Sequence, residues 1–145
     1  MYQFKLQALL NHRRHQEELC QQELAQFRRK LAAEQEKLRR QKQQKRENIQ
    51  RLQTRQKEST GISDILLYIN YIAQLSKTIE TQTTCVREAA KKVKQKRNEL
   101  IDIMKKRKTL EKLKEKDWRA YQKKKLQDER KFMDEVAAAR HVRKI

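Results

Sequence analysis

A chain of 145 residues with no proline and a single glycine cannot reverse direction often. Hairpins, sandwiches and α/β crossovers each need Gly, Pro or Asn/Asp punctuation where the backbone turns. This chain therefore has few elements, and they are long. It is rich in Gln, Lys, Arg, Glu, Leu and Ala, which are helix formers, whereas disordered chains of comparable charge favour Pro, Gly and Ser. Charged residues make up 39% and hydrophobic residues 36%, with a mean hydropathy of -1.18. That balance excludes a wide globular core, and the chain reads as all-α.

Counting in sevens shows what the helices bury. Leu10, Glu17, Leu24, Leu31, Leu38, Lys45 and Leu52 hold one position, and Cys20, Phe27, Glu34, Gln41 and Asn48 the position three residues on. This is a heptad seam interrupted by polar residues, weakest between Glu34 and Asn48. A stronger seam follows in Ile65, Ile72, Ile79, Val86, Val93 and Leu100, accompanied by Tyr68, Leu75, Gln82, Ala89, Lys96, Ile103 and Leu110. The predicted coiled-coil core is Leu24, Phe27, Leu31, Leu38, Leu52, Ile65, Ile72, Ile79, Val86, Val93 and Leu100. Beyond Leu113 the phase shifts, and Trp118, Tyr121, Lys125, Phe132, Val136 and Ala139 continue a looser stripe.

Between the seams lies ESTGIS, residues 58 to 63, with the only glycine. Gly61 can take a positive φ at a helix end, and Ser63 can cap the next helix. The expected fold is a long antiparallel two-helix coiled-coil hairpin turning near Gly61. Helix 1 covers about 4–58, the turn about 59–62 and helix 2 about 63–141, in a single coiled-coil domain, 1–145. A parallel homodimer of one uninterrupted helix is the rival, and Gly61 argues against it. The arms are unequal, at about 54 residues, or roughly 80 Å, for the first. Either the last twenty or so residues overhang, or residues 62–85 fold as an extra layer at the reversal.

The net charge of +19, from 38 basic and 19 acidic residues, predicts attraction to anionic partners. Twelve Lys or Arg lie between Arg28 and Lys57 against Glu34, Glu36 and Glu47; eleven lie between Lys105 and Lys125 against Glu111, Glu115 and Asp117. Folded at Gly61, the two blocks are expected alongside each other, as a positively charged rod. No zinc-finger spacing, basic zipper or run of stacking aromatics accompanies them, so an acidic protein channel suits the rod better than nucleic acid. A basic coiled-coil binding module for nucleic acid or another anionic scaffold is the alternative.

Catalysis finds no support, with no Gly-rich phosphate loop, no HExxH and no plausible Cys/His pairing. His12 and His15 lack a third metal ligand, His141 reads as exposed, and no cofactor is expected. Cys20 and Cys85 form no ligand or disulfide spacing and read as reduced thiols. No signal peptide or membrane span is evident, which suggests a cytoplasmic protein without an integral membrane segment.

Apolar residues concentrate in LLYINYIAQLSKTIE, residues 66–80. They pass all the way round the helix, while a two-helix coil buries one stripe. Tyr71, Leu75, Thr78 and Gln82, at i, i+4, i+7 and i+11, make one face that can carry a partner.

Three segments in order resemble the FliJ family of flagellar type III export: YQFKLQALLNHRRHQEELCQQELA near the N-terminus, LLYINYIAQLSKTIETQ in the middle, and ERKFMDEVAAAR near the C-terminus. Stalk proteins of injectisome-type secretion are similar. The resemblance implies an antiparallel coiled coil like the stalk of rotary ATPases. Such a protein inserts into the hexameric ring of the export ATPase FliI, contacts the export gate protein FlhA and takes part in recycling export chaperones. It implies that the terminal arms enter the ring and that Tyr71, Leu75, Thr78 and Gln82 meet the gate. Thr78 and Gln82 depart from the family pattern, which has small apolar and histidine residues there. The implied location is cytoplasmic, peripherally associated with the inner-membrane export apparatus.

Overall fold

A computed structural model describes residues 1–58 and 61–144; Ser59 and Thr60 within the expected turn, and the terminal Ile145, lie outside the described residues. The chain is all-α. Helix α1 spans Gln7–Lys57 and α2 spans Ile62–Lys144, 51 and 83 residues long. They pack against each other as an antiparallel hairpin, and no strand occurs among the described residues.

The helix ends depart from the expected bounds for local reasons. The Gln7 amide donates to the Phe4 carbonyl at 3.1 Å, so residues 5 and 6 form a turn and α1 starts later than residue 4. The α2 start is set by Gly61, whose carbonyl accepts from the amides of Asp64 (3.2 Å) and Ile65 (3.3 Å). Gly61 is thus the N-cap, a role glycine fills well, and Ser63, two residues on, lies within the first turn rather than capping. Gly61 does not adopt the positive φ expected of it, and a Cβ there would meet open space. Toward the other end, AAARHVRK has no breaker, and the helix runs on to Lys144 with His141, Arg143 and Lys144 against its negative dipole end. Because α2 is uninterrupted from Ile62, residues 62–85 do not form an extra layer.

Contacts divide the chain into two units. One comprises Cys20–Leu100. Its deepest side chains are Cys20 and Leu24 from α1 and Leu75, Gln82 and Ala89 from α2. Phe27, Leu31, Leu38 and Leu52, with Ile65, Ile72, Ile79, Val86, Val93 and Leu100, are half-buried along the flanks. Antiparallel pairing shows directly: Glu34 meets Gln82, while Cys20 and Glu23 meet Lys96. Cys20 and Cys85 are both free. The Cys20 thiol donates to the Lys96 carbonyl at 3.8 Å, and Lys96 is eleven residues, about 16 Å of helix, beyond Cys85. Burial pushes the Cys20 thiol pKa up.

The other unit comprises Met1–Leu19 with Ile101–Ile145. Leu10 is fully buried and Leu110 nearly so. Glu17 and Glu111 both pair with Arg107, the latter at 2.9 Å, and Glu111 also reaches Arg14 at 3.5 Å. These two carboxylates raise the Arg107 pKa further, Glu111 first. The Tyr2 ring packs edge-on to Trp118 and tilted against Tyr121, at centroid distances of 4.9 and 5.1 Å, and its hydroxyl donates to Asp117 at 2.9 Å. After Tyr121, every described residue to Lys144 is exposed except half-buried Val136.

This division corrects the expected charge layout. The block Lys105–Lys125 packs along Met1–Leu19, as the Arg107–Glu17 and Tyr2–Asp117 contacts show, and the block Arg28–Lys57 belongs to the other unit. The reason is geometric. In a hairpin, residues pair when equally far from the reversal, and Lys105 is much farther from it than Arg28.

Candidate functional site

The start of α2 carries the densest apolar sequence in the chain, and only part of it can face α1. Ile65, Tyr68, Ile72 and Leu75 turn inward. Ile62, Leu66, Leu67, Ile69 and Tyr71 stay exposed, from 45% at Tyr71 to 77% at Ile62. Beside Tyr71 a groove of about 340 Å³ opens between the two helices, lined by Asn48, Arg55, Asp64, Leu67, Tyr68 and Tyr71. Its aromatic wall and mixed polar rim suit a protein side chain rather than a reacting small molecule.

The four-residue face expected to dock a partner is split. Tyr71 and Thr78 are exposed, and the Thr78 hydroxyl donates back to the Gln74 carbonyl at 3.1 Å. Leu75 and Gln82 are only 8% and 5% exposed, so they do not belong to an open outward surface. Both also occupy the heptad seam, and burial against α1 prevails. The Gln82 side-chain amide donates to the Glu34 backbone carbonyl at 3.0 Å and to the Glu34 carboxylate. This anchors α2 to α1 about two turns beyond Leu75, and it fixes which way Tyr71 and Thr78 point.

A second surface lies at the other end of α2. Leu126, Phe132, Met133 and Val142 are 58–70% exposed. An open groove of about 870 Å³ runs along this helix, lined by residues that include Tyr121, Lys125, Phe132 and Met133. The loose stripe read from the sequence marks this segment, but nothing in its spacing signals the Tyr2 aromatic cluster that precedes it. Tyr2 lies ahead of α1 and outside any heptad, so only the tertiary contact reveals it.

Elsewhere the side chains make structural pairs. Lys96 is held by Glu23 and by Glu99 at 3.0 Å, which raises its pKa, Glu23 contributing most. Among the described residues no cluster of three or more His, Cys, Asp or Glu could hold a metal, and His12, His15 and His141 are exposed. No described helix is long and apolar enough to cross a membrane.

A family model described as "Flagellar FliJ protein" matches residues 2–145. No curated protein and no solved structure matches the chain.

Proposed function

Because the chain belongs to the FliJ family, it is a component of flagellar type III protein export, and we propose that it links the export ATPase to the export gate. In this reading the exposed C-terminal part of α2, together with the chain's N-terminal segment, enters the ring of the hexameric ATPase FliI. The start of α2 meets the gate protein FlhA. Tyr71 is the anchor at the gate, Thr78 extends the same surface, and Leu75 and Gln82 hold the helix in place from behind. Handling of export chaperones belongs to the same role, at a cytoplasmic position peripheral to the inner membrane. No nucleic acid takes part.

The observation that carries this reading is the half-exposed Tyr71 ring beside a ready-made groove. An aromatic side chain left 45% exposed at the edge of a pocket is the kind of residue on which binding energy concentrates. Replacing Tyr71 with Ala removes a contact worth about 1–3 kcal/mol, or roughly ten- to a hundredfold in affinity for the gate. Helical content and melting temperature stay nearly unchanged, since little buried surface is lost. Titration of the gate's cytoplasmic domain with the Tyr71→Ala protein tests this. Unaltered affinity in a folded variant refutes the assignment, and an unfolded variant returns Tyr71 to the core.

A further inference from the structure

Lys124, Asp128, Lys131 and Glu135 stand at i, i+4, i+7 and i+11 of α2, one stripe of alternating sign. Such spacing favours ion pairs along the helix. Yet among the described residues none of the four makes one. Next to the stripe runs the loose apolar line of Tyr121, Phe132, Val136 and Ala139, with Phe132 65% exposed. The groove of about 870 Å³ lies along both.

Read in the opposite direction, the stripe inverts its signs: plus, minus, plus, minus becomes minus, plus, minus, plus. Two copies laid antiparallel, with the two-fold axis between Glu129 and Arg130, therefore set Lys124 opposite Glu135 and Asp128 opposite Lys131. A self-complementary patch is what an isologous dimer requires.

We infer that the exposed segment from Tyr121 to Ala139 docks on a second copy of this chain, forming an antiparallel homodimer through α2. The apolar line supplies the buried surface and the alternating stripe sets direction and register, as flanking charges do in coiled coils. Most helical stability in proteins comes from the packing of an apolar face, and self-pairing supplies that packing to this part of α2. The high net charge of each copy opposes approach, but at 0.15 M salt repulsion beyond about 8 Å is screened. The pairing covers the surface assigned above to the ATPase ring, so dimer and ring-bound forms exclude each other; the inference itself does not depend on that assignment.

Sedimentation velocity of the full chain in 0.15 M salt, from micromolar to about 100 μM, reads the dimer directly. One variant combines Lys124→Glu with Lys131→Glu, giving an acidic stripe; a second combines Asp128→Lys with Glu135→Lys, giving a basic one. All four positions are exposed, so circular dichroism serves to check that both variants remain folded. Each variant alone is expected to dimerise at least tenfold more weakly than the natural chain, and an equimolar mixture to recover the dimer as a heterodimer. A natural chain that stays monomeric throughout overturns the inference. So does a dimer indifferent to both variants, or a mixture that fails to recover association.

Discussion

Gln82 shows how much one side chain contributes to the hairpin. Its amide reaches the Glu34 carbonyl and carboxylate from a position 5% exposed to solvent, and buried polar groups are costly to leave unpaired. Gln82→Ala is expected to destabilise the protein by about 1–3 kcal/mol, read as a lower urea midpoint at unchanged slope; an unchanged midpoint contradicts the pairing. Glu36 is the opposite case, an ion pair out in water. Hydrogen bonds from Arg39, at 2.7 and 2.9 Å, and then from Arg40 lower its pKa from 4.5 to about 2. A depressed carboxyl pKa gives stabilisation that is present above about 4.5 and lost as pH falls through about 2. NMR titration should place the Glu36 carboxyl below the other exposed glutamates, and Arg39→Ala should return it to the ordinary range. Because solvent screens the pair, the melting temperature should barely follow.

At the scale of the helices, the heptad pattern was sufficient to find the inward faces. All twelve α1 seam positions from Leu10 to Leu52 and all thirteen α2 positions from Ile65 to Leu110 are buried or half-buried. Periodicity succeeds here because a helix face is local. It could not rank the two rows of α2: the row of Leu75, Gln82 and Ala89 lies deeper than the row of isoleucines and valines, which depends on where α1 sits. It also could not separate a docking face from a seam where both claim Leu75 and Gln82. The seam retains one weak point. Among the described residues Gln41 buries its side-chain oxygen without a hydrogen-bond partner, a defect that typically costs about 1–3 kcal/mol. Gln41→Leu should therefore raise the melting temperature by several degrees, and a lowered one would mean that water or a partner satisfies that oxygen.

For the whole molecule, family membership assigns the export role, and the two ends of α2 offer different surfaces for it. Near Ile62 the exposed groups are aromatic and aliphatic around a groove; beyond Tyr121 they alternate with charge along an unpaired helix. The segments carrying both surfaces were legible in the sequence, as apolar density at residues 66–80 and as the phase-shifted stripe after Leu113. The pairing of the basic blocks was not, because it depends on distance from the reversal, and neither was the Tyr2 cluster, because its ring partners lie far along the chain. The central claim is that these surfaces serve different partners. Its most direct test is calorimetric titration of the purified gate domain and the purified ATPase with two variants, Tyr71→Ala and Phe132→Asp. The account predicts that Tyr71→Ala weakens gate binding at least tenfold and leaves ATPase binding intact, while Phe132→Asp does the reverse. Variants that remain folded and weaken both partners equally, or neither, would contradict it.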